Sequence, residues 1–348
     1  MLDRDSDIID TLSTSVLVVP ASSRRVLPLP GSIEPIVLAS NMATSFDLAR
    51  RAAVTPLSVL IQGETGVGKE LIAHTVHRHS DCSGPLVAVN CATLRDELAE
   101  SELFGHVSGA FTGADGAKVG LIEAAHGGTF FLDDVAELSP GMQAKLLRAI
   151  ENKTISPVGS TERRAVDMRV VSATHRDLRR AVHAGHFRMD LYFRLSGVII
   201  FVPPLRQRRI EVEPLARAFL RRFCGALGLP EPELSPAAIA LLQNYRWPGN
   251  VRELGNVIER AALLARDAPM DSDHIQFDPG SSSEERAIGG SAPPDEGTRA
   301  RLLTVLASCG GNQTRAARQL GISRSSLTRQ LDPLLPEAIR RLRAEFRV

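Results

Sequence analysis

A glycine-rich segment in the first quarter of the chain has the pattern of a phosphate-binding loop. Residues 63–69 read G-x-x-x-x-G-K, after the apolar run Leu57–Ile61 and before a helical stretch. Such a loop offers backbone N–H groups to phosphates, and the helix N-terminus behind it favours negative charge. A plain glycine turn is the alternative. The predicted nucleotide-binding residues are Gly63, Glu64, Thr65, Gly66, Val67, Gly68, Lys69 and Glu70.

Two adjacent carboxylates, Asp133 and Asp134, end the apolar run Thr129–Leu132. The carboxyl end of a buried strand is where an open parallel sheet presents side chains to a ligand. One acid there can hold Mg2+ through its water, a role we assign to Asp133, and the second can orient the attacking water. Thr174 ends the next strand-like run and is placed to contact the γ-phosphate. The sequence therefore predicts ATP and Mg2+ as cofactors.

Three arginines are candidates for the positive charge that phosphoryl transfer requires. Arg188 and Arg194 flank the segment Met189–Phe193, and Arg252 lies within Trp247–Leu254. Spacing alone does not say which of them reach a phosphate. In so arginine-rich a chain, ordinary surface ion pairs are the alternative.

An apolar hexapeptide lies between the glycine-rich loop and the two acids. It consists of Gly109, Ala110, Phe111, Thr112, Gly113 and Ala114. Such residues have no obvious part in nucleotide chemistry. We therefore predict an exposed tip that an ATPase moves against another molecule.

Strand-like and helix-like segments alternate from about residue 36, which predicts an α/β fold with a mostly parallel sheet. The runs Leu86–Val89 and Met168–Val171 add strands to those named above. At Ser139-Pro140 and Ser235-Pro236 a serine N-cap precedes a proline, which predicts helix starts. An all-helical stretch follows over about 207–277.

These patterns predict five consecutive parts of the chain. Residues 1–33 are too few for an independent domain and leave no room for a sensory domain, although Val16–Val19 is apolar. The segment after the helical stretch is rich in Pro, Gly and Ser, which is typical of a flexible linker. The expected parts are the N-terminal segment 1–33, an α/β ATPase subdomain 34–206, a helical lid 207–278, the linker 279–297 and a DNA-binding domain 298–348.

The last part of the chain has the charge and pattern of a DNA-binding helix-turn-helix. Residues 299–348 contain ten arginines against three acidic residues, which suits DNA phosphates. Helix, Gly321 turn and helix follow one another, and a hairpin used only for packing is the alternative. The spacing of apolar residues within the extension 332–348 predicts an additional amphipathic helix. The predicted DNA-binding residues are Thr314, Arg315, Arg324, Ser325, Ser326, Thr328 and Arg329.

The remaining composition argues against other classes of protein. Four cysteines without a C-x-x-C pair indicate a reducing compartment and argue against a zinc site. The cluster His74, His77 and His79 has no carboxylate or thiol at ligand spacing. No apolar run approaches a membrane span, and the acidic N-terminus is unlike a signal peptide. We expect a cytoplasmic protein that does not contact a membrane.

Taken together, these residues resemble the bacterial enhancer-binding proteins, which are sigma-54-dependent transcription activators of the AAA+ class. The resemblance runs from about Glu34 to Leu331. It implies a P-loop ATPase with a parallel sheet, a helical lid and a C-terminal all-α helix-turn-helix of the Fis type. The motifs that carry it are Glu100–His106 leading into the hexapeptide, Phe187–Leu195, Pro203–Arg208 and Trp247–Leu254.

The resemblance implies a role for each matching residue. Lys69 would be the Walker A lysine, Asp133 and Asp134 the Walker B acids, and Asn90 the switch partner of the second acid. Thr174 would be the first sensor and Arg252 the second. Arg188 and Arg194 would serve the neighbouring subunit of a ring, usually a hexamer. Phe111 and Thr112 would engage sigma-54.

Two residues depart from the family pattern. Asp134 stands where glutamate is usual, and His175 follows Thr174 where asparagine is often found. The first departure supports one alternative, a DNA-binding regulator whose impaired ATPase only controls oligomerisation. Another AAA+ remodelling protein is a second alternative. The implied partners are the sigma-54 RNA polymerase holoenzyme, double-stranded enhancer DNA, further copies of the chain (dimer to hexameric ring) and a regulatory protein in trans.

Overall fold

The computed structural model describes residues 16–19, 36–94, 96–265, 268–277 and 305. The chain divides into two compact units, Met1–Gln276 and Phe277–Val348. The first unit contains the sheet and the helices discussed below. The linker, the DNA-binding residues from Thr314 to Arg329 and the extension 332–348 lie outside the described residues, so those predictions stay predictions.

A six-stranded sheet forms the centre of the first unit, in the order β1-β3-β6-β9-β2-β10. Its neighbouring strands run parallel, apart from the antiparallel pair β1 and β3. The predicted mostly parallel sheet is therefore confirmed, and the N-terminal apolar run adds an edge strand to it. The strands of this sheet are β1 (Val16–Val19), β2 (Val59–Gln62), β3 (Leu86–Asn90), β6 (Thr129–Asp133), β9 (Arg169–Thr174) and β10 (Val198–Phe201).

Helices cover both faces of the sheet, and alternate residues of its parallel strands enter different cores. Leu60 packs with Leu103 and Leu146 in one core, whereas Val59 and Ile61 pack in the other. Burial on both faces explains why the parallel strands are continuous apolar runs. The helices of the sheet subdomain are α1 (Ser40–Ala53), α2 (Lys69–Arg78), α3 (Asp96–Phe104), α4 (Leu121–Ala124), α5 (Pro140–Asn152), α6 (Leu178–His183) and α7 (Met189–Leu195).

Two short hairpins extend from this layered unit. The first pairs β4 (Gly105–His106) with β5 (Lys118–Val119), and the second pairs β7 (Thr154–Ile155) with β8 (Arg164–Ala165). They are joined by backbone hydrogen bonds, because Val107 N donates to Val158 O and Val158 N donates to Gly105 O. The hexapeptide lies in the loop of the first hairpin.

A helical subdomain follows β10, as the sequence predicts. It consists of α8 (Val212–Leu227), α9 (Pro236–Asn244) and α10 (Asn250–Ala265). Pro236 begins α9, and Ser235 Oγ accepts a hydrogen bond from Ala238 N. Pro140 likewise begins α5, although the Ser139 side chain makes no capping bond. In the part of the chain that is described, none of the helices combines the length and apolarity that a membrane crossing needs.

Candidate functional site

The glycine-rich loop connects β2 to α2 in the geometry of a phosphate cradle. Gly66 and Gly68 have φ angles of 77° and 98°, which favour glycine because a Cβ would be strained there. Lys69 begins α2, and its Nζ donates to the carbonyl oxygens of Gly63 and Glu64 at 3.1 Å each. Burial lowers the pKa of Lys69, while Asp133 and Asp134 act in the opposite direction. The predicted lysine and acids therefore interact electrostatically.

The two acids lie at the carboxyl end of β6, between β3 and β9. Burial raises the pKa of Asp133, and the charge of Asp134 raises it further. Asp134 has a left-handed φ of 51° where the chain leaves the strand. Its Oδ1 lies 2.9 Å from Nδ1 of His175, which follows β9. The two residues that depart from the family pattern are thus in direct contact.

This arrangement fits a hydrated Mg2+ ion. Mg2+ is usually held by one or two carboxylates together with waters and substrate phosphates. Asp133 and Asp134 are adjacent oxygen donors beside the phosphate loop, and a cation relieves their repulsion. Within the described residues, no three His, Cys, Asp or Glu side chains form a complete metal cage. Glu70 occupies the position after the lysine, where a phosphate loop usually has a Ser or Thr hydroxyl for Mg2+, and its Oε1 lies 3.7 Å from His74 Nε2.

Asn90 lies beside Asp133 in the sheet but does not bond to Asp134 in this structure. Asn90 and Asp133 are register partners on β3 and β6. The Asn90 side chain instead accepts a hydrogen bond from Ala92 N at 2.9 Å and caps the 3-10 turn Cys91–Thr93. In this structure the two side chains bond to other partners, and the implied switch role of Asn90 stays a prediction.

Thr174 is placed next to the phosphate loop. Its carbonyl accepts a hydrogen bond from Gly63 N at 3.2 Å, and its Oγ1 accepts one from Arg176 N at 3.0 Å. The side chain is buried at the end of β9. The structure thus brings Thr174, Lys69 and the two acids together at one end of the sheet, as the sequence predicts. Their individual roles remain predictions.

Arg188 and Arg194 are exposed at α7 and are bonded away from the loop of their own chain. Arg188 forms an ion pair with Asp190 at 2.7 Å, and Arg194 donates to Ile150 O at 3.3 Å. No hydrogen bond or ion pair among the described residues joins either guanidinium to the phosphate loop. This placement leaves their implied service to a neighbouring subunit as a prediction.

The N-terminus of α10 contacts the phosphate loop directly. Val251 N donates to Gly66 O at 3.0 Å, and a Cβ at Gly66 would lie 2.4 Å from Gly249 O. The Arg252 Cβ is also close to Gly66, at 3.1 Å from that same Cβ position. The structure therefore brings Arg252 to the nucleotide loop, although it lies far from that loop in sequence.

Sequence reasoning missed a pair of arginines that hold the loop from the segment between β10 and α8. Arg206 forms two hydrogen bonds with the Glu64 carboxylate, at 2.7 and 2.5 Å, and these bonds lower the pKa of Glu64. Arg208 is buried and donates to Val67 O at 2.7 Å. The signal that could have identified these arginines is their position, two residues apart, within the motif Pro203–Arg208.

The hexapeptide forms most of an exposed tip, as predicted. Gly109 N donates to Ala114 O at 2.9 Å and closes the loop. The Phe111 side chain is 39% exposed and meets the ring of His106 edge to face, with 5.1 Å between centroids. Thr112 and Gly113 are also exposed. Ala114 differs, because it is buried at the base of the loop.

Three family models match consecutive parts of the chain. A sigma-54 interaction domain matches residues 36–201, and an AAA+ ATPase lid domain matches residues 206–288. A model described as bacterial regulatory protein, Fis family, matches residues 299–332. The boundaries predicted for the five parts of the chain remain predictions.

Transcription regulators from several bacteria are similar over most of this chain. The transcriptional regulatory protein ZraR of Salmonella typhimurium is 43% identical over 309 residues, which cover 88% of this chain and 70% of that protein. ZraR of Klebsiella oxytoca is 45% identical, covering 80% of this chain and 64% of that protein. The nitric oxide reductase transcription regulator NorR1 of Cupriavidus necator is 48% identical, covering 79% and 58%. The chain thus spans 58–70% of the length of these relatives.

A solved structure also resembles the chain. NtrX from Brucella abortus, crystallised in complex with ATP, has 33% identity and a TM-score of 0.65. The similarity covers 87% of this chain and 69% of that one.

Proposed function

Because the chain belongs to the sigma-54-dependent transcription activators of the AAA+ class, we propose that it uses ATP to open promoters held by sigma-54 RNA polymerase. One observation carries this proposal. Phe111 and Thr112 are exposed at the tip of a hairpin built into a phosphate-loop sheet. An apolar tip on the ATPase itself suits a cycle in which nucleotide chemistry moves a contact surface.

Around the phosphate loop, the position of each residue determines the role that we propose for it. Lys69 and the loop N–H groups bind the phosphates of ATP. Asp134, held by His175, orients the attacking water, and Thr174 contacts the γ-phosphate. Asp133 would hold Mg2+ through water, and the ion would neutralise charge on the phosphates.

We infer that copies of the chain assemble into a ring, which in this family is usually a hexamer, because Arg188 and Arg194 at α7 are exposed. Arg188 and Arg194 would complete the site of a neighbouring subunit, because none of their described bonds reaches the phosphate loop of their own chain. Arg252 would close the lid side of the same site. A positive group at the developing charge typically accounts for a large part of phosphoryl-transfer catalysis.

The remaining partners follow from the C-terminal match. The segment 299–332 would bind double-stranded enhancer DNA upstream of the promoter through a Fis-type helix-turn-helix. Control by a regulatory protein in trans and action in the bacterial cytoplasm belong to the same proposal. The comparisons do not favour the alternative, a regulator whose impaired ATPase only sets oligomeric state, and phosphate release separates the two.

Open-complex formation tests the proposal. Purified protein, sigma-54 holoenzyme and a supercoiled template with an upstream site should melt the promoter with ATP and not without it. Thr112→Ala should remove melting and keep ATP turnover. If wild-type protein hydrolyses ATP but never melts such a promoter, the proposal fails. If Thr112→Ala loses turnover as well, the loop assignment is wrong.

A further inference from the structure

A small polar network joins the helical subdomain to the phosphate loop. We call it the clasp and define it as Glu64, Arg206 and Asn250. Glu64 lies in the loop, Arg206 in the segment after β10, and Asn250 at the first turn of α10. Arg206 binds the Glu64 carboxylate at 2.7 and 2.5 Å, and Asn250 Nδ2 donates to it at 3.2 Å. Three separate segments therefore meet at one carboxylate.

Asn250 is the buried part of the clasp. Its side-chain oxygen accepts a hydrogen bond from Leu205 N at 2.8 Å, and Nδ2 also donates to Thr65 O at 3.0 Å. Asparagine suits this position because it offers both a donor and an acceptor, and because it tolerates the observed φ of 53°. Aspartate would lose the donor and place a second charge beside Glu64.

The exposure of the three side chains ranks their contributions. Asn250 is completely buried, so removing its amide leaves Leu205 N and Thr65 O without their partner. The Glu64 and Arg206 side chains are 43% and 37% exposed. Solvent weakens such a pair, although its two-pronged geometry limits the loss. The clasp should therefore depend more on Asn250 than on Glu64.

The contacts of the clasp lie on the atoms that shape the loop. Lys69 Nζ donates to the carbonyl of Glu64, and Asn250 binds the carbonyl of the next residue, Thr65. Val251 N then holds the carbonyl of Gly66 at 3.0 Å. Three successive loop carbonyls are thus oriented by bonds from Lys69 and from the first turn of α10. Fixing these carbonyls also fixes the direction of the N–H groups that follow them.

From this geometry we propose that Asn250 and Glu64 are positioning residues for nucleotide binding. The loop keeps its phosphate-binding shape only while the first turn of α10 is seated on it. The same contact places Arg252, two residues further on, beside Gly66. This inference rests on the proposed ATPase function, but it concerns affinity for nucleotide rather than promoter opening.

Nucleotide affinity is the first test, measured by the fluorescence anisotropy of a mant-ADP probe on the full chain. Asn250→Gly keeps the left-handed backbone and removes the amide, and should raise the Kd about tenfold or more. Glu64→Gln should raise it roughly threefold. Asp47→Asn is the matched control, because Asp47 forms an exposed 2.7 Å pair with Arg50 on α1. The control should leave the Kd unchanged.

Two further measurements separate positioning from a merely structural role. In steady-state ATP turnover, Glu64→Gln should raise KM and leave kcat near that of the wild type. In the nucleotide-free protein, the Val251 amide should exchange its hydrogen faster in both clasp variants. A double variant of Glu64→Gln with Arg206→Met should bind no more weakly than the worse single variant, because both changes break the same contact.

The outcomes are distinct. Unchanged mant-ADP affinity in both clasp variants overturns the inference, even if Val251 exchange accelerates. Additive losses in the double variant overturn the role of the Glu64–Arg206 pair. If Asn250→Gly fails to fold, Glu64→Gln still decides the matter. If the wild-type chain binds mant-ADP but does not turn over ATP, the proposed function fails while the test of the clasp stands.

Discussion

Glu211→Gln is the sharpest test of how the phosphate loop is held in place. Glu211 is fully buried and accepts hydrogen bonds from Arg208, Leu38 N and Ala39 N at 2.9–3.0 Å. Arg208 in turn donates to Val67 O in the loop. The carboxylate therefore connects the start of α1 to the loop. Glutamine keeps the size of the side chain and removes its charge.

The expected cost follows from burial. Arg208 is 3% exposed, so glutamine at 211 leaves a positive charge inside the protein without its partner. Breaking a buried ion pair in this way typically costs about 3–5 kcal/mol. For a unit of this size, that corresponds to a fall in melting temperature of roughly 6–20 °C. Burial already lowers the pKa of Arg208, which shows that the environment disfavours its charge.

Thermal unfolding of the nucleotide-free protein gives the measurement, because bound nucleotide would mask part of the loss. Glu213→Gln is the matched control. Glu213 lies two residues further along and pairs with Arg217 at 2.9 Å, but the Glu213 and Arg217 side chains are 33% and 41% exposed. Such a pair contributes about 0.5 kcal/mol, which is a shift of roughly 2 °C or less. If Glu211→Gln costs no more than Glu213→Gln, the reasoning from burial is refuted.

Four further expectations concern the nucleotide site. Lys69→Ala should abolish mant-ADP binding, and Asp134→Asn should keep binding but lose phosphate release. Arg194→Ala should also lose ATP turnover. Mixing the Arg194→Ala and Lys69→Ala chains should restore part of that turnover, and no recovery would contradict a role of Arg194 across subunits. The lowered pKa of Glu64 means that its contribution to stability is complete above about pH 4.3 and is lost as the pH falls through its lowered pKa. The destabilisation by Glu64→Gln, followed by denaturation, should therefore be constant between about pH 6 and 8 and shrink in stronger acid.

Apolar patterning predicted the central strands and the end of β9 at Thr174, but not the last residues of the three others. Gln62, Asn90 and Asp133 are polar, and each is the last residue of its strand. Strand ends are set by backbone pairing with a neighbour, which continues past the last apolar side chain. The edge strand Val16–Val19 could not be predicted for a related reason. Its partner β3 lies about seventy residues away, and four apolar residues alone do not specify a pairing.

At the candidate site, residue types were easier to predict than contacts. Asp134 and His175 each stood out as a departure from the family pattern, but their contact depends on β6 and β9 being neighbours. Arg206 lies in the family motif Pro203–Arg208, but the sequence alone assigned it no role. Its partner Glu64 lies 142 positions earlier, and only the folded chain brings the two together.

Asp134 and the exposed loop are connected through α5 and the two hairpins. Asp134 begins the 3-10 turn Val135–Glu137, and α5 follows within a few residues. This helix of 13 residues is about 20 Å long. It leads to the second hairpin, whose Val158 is hydrogen-bonded to the base of the first. In the proposed cycle, a displacement at Asp134 would therefore reach the hairpin that carries the tip through α5 and the second hairpin.

A second support reaches the same hairpin from α3. Buried Ser101 lies 2.7 Å from Nδ1 of His106, and the same ring also meets the exposed Phe111. His106 also pairs with Val158 as an isolated bridge between the two hairpins. Both supports thus meet at the base of the loop and not at its tip. A Cβ built on Gly109 or Gly113 would meet no atom within 4 Å, whereas Ala110 lies close to Gly159 in the loop of the second hairpin. In the proposed cycle, the part that nucleotide chemistry would move is therefore the pair of joined hairpins, with Phe111 at its exposed end.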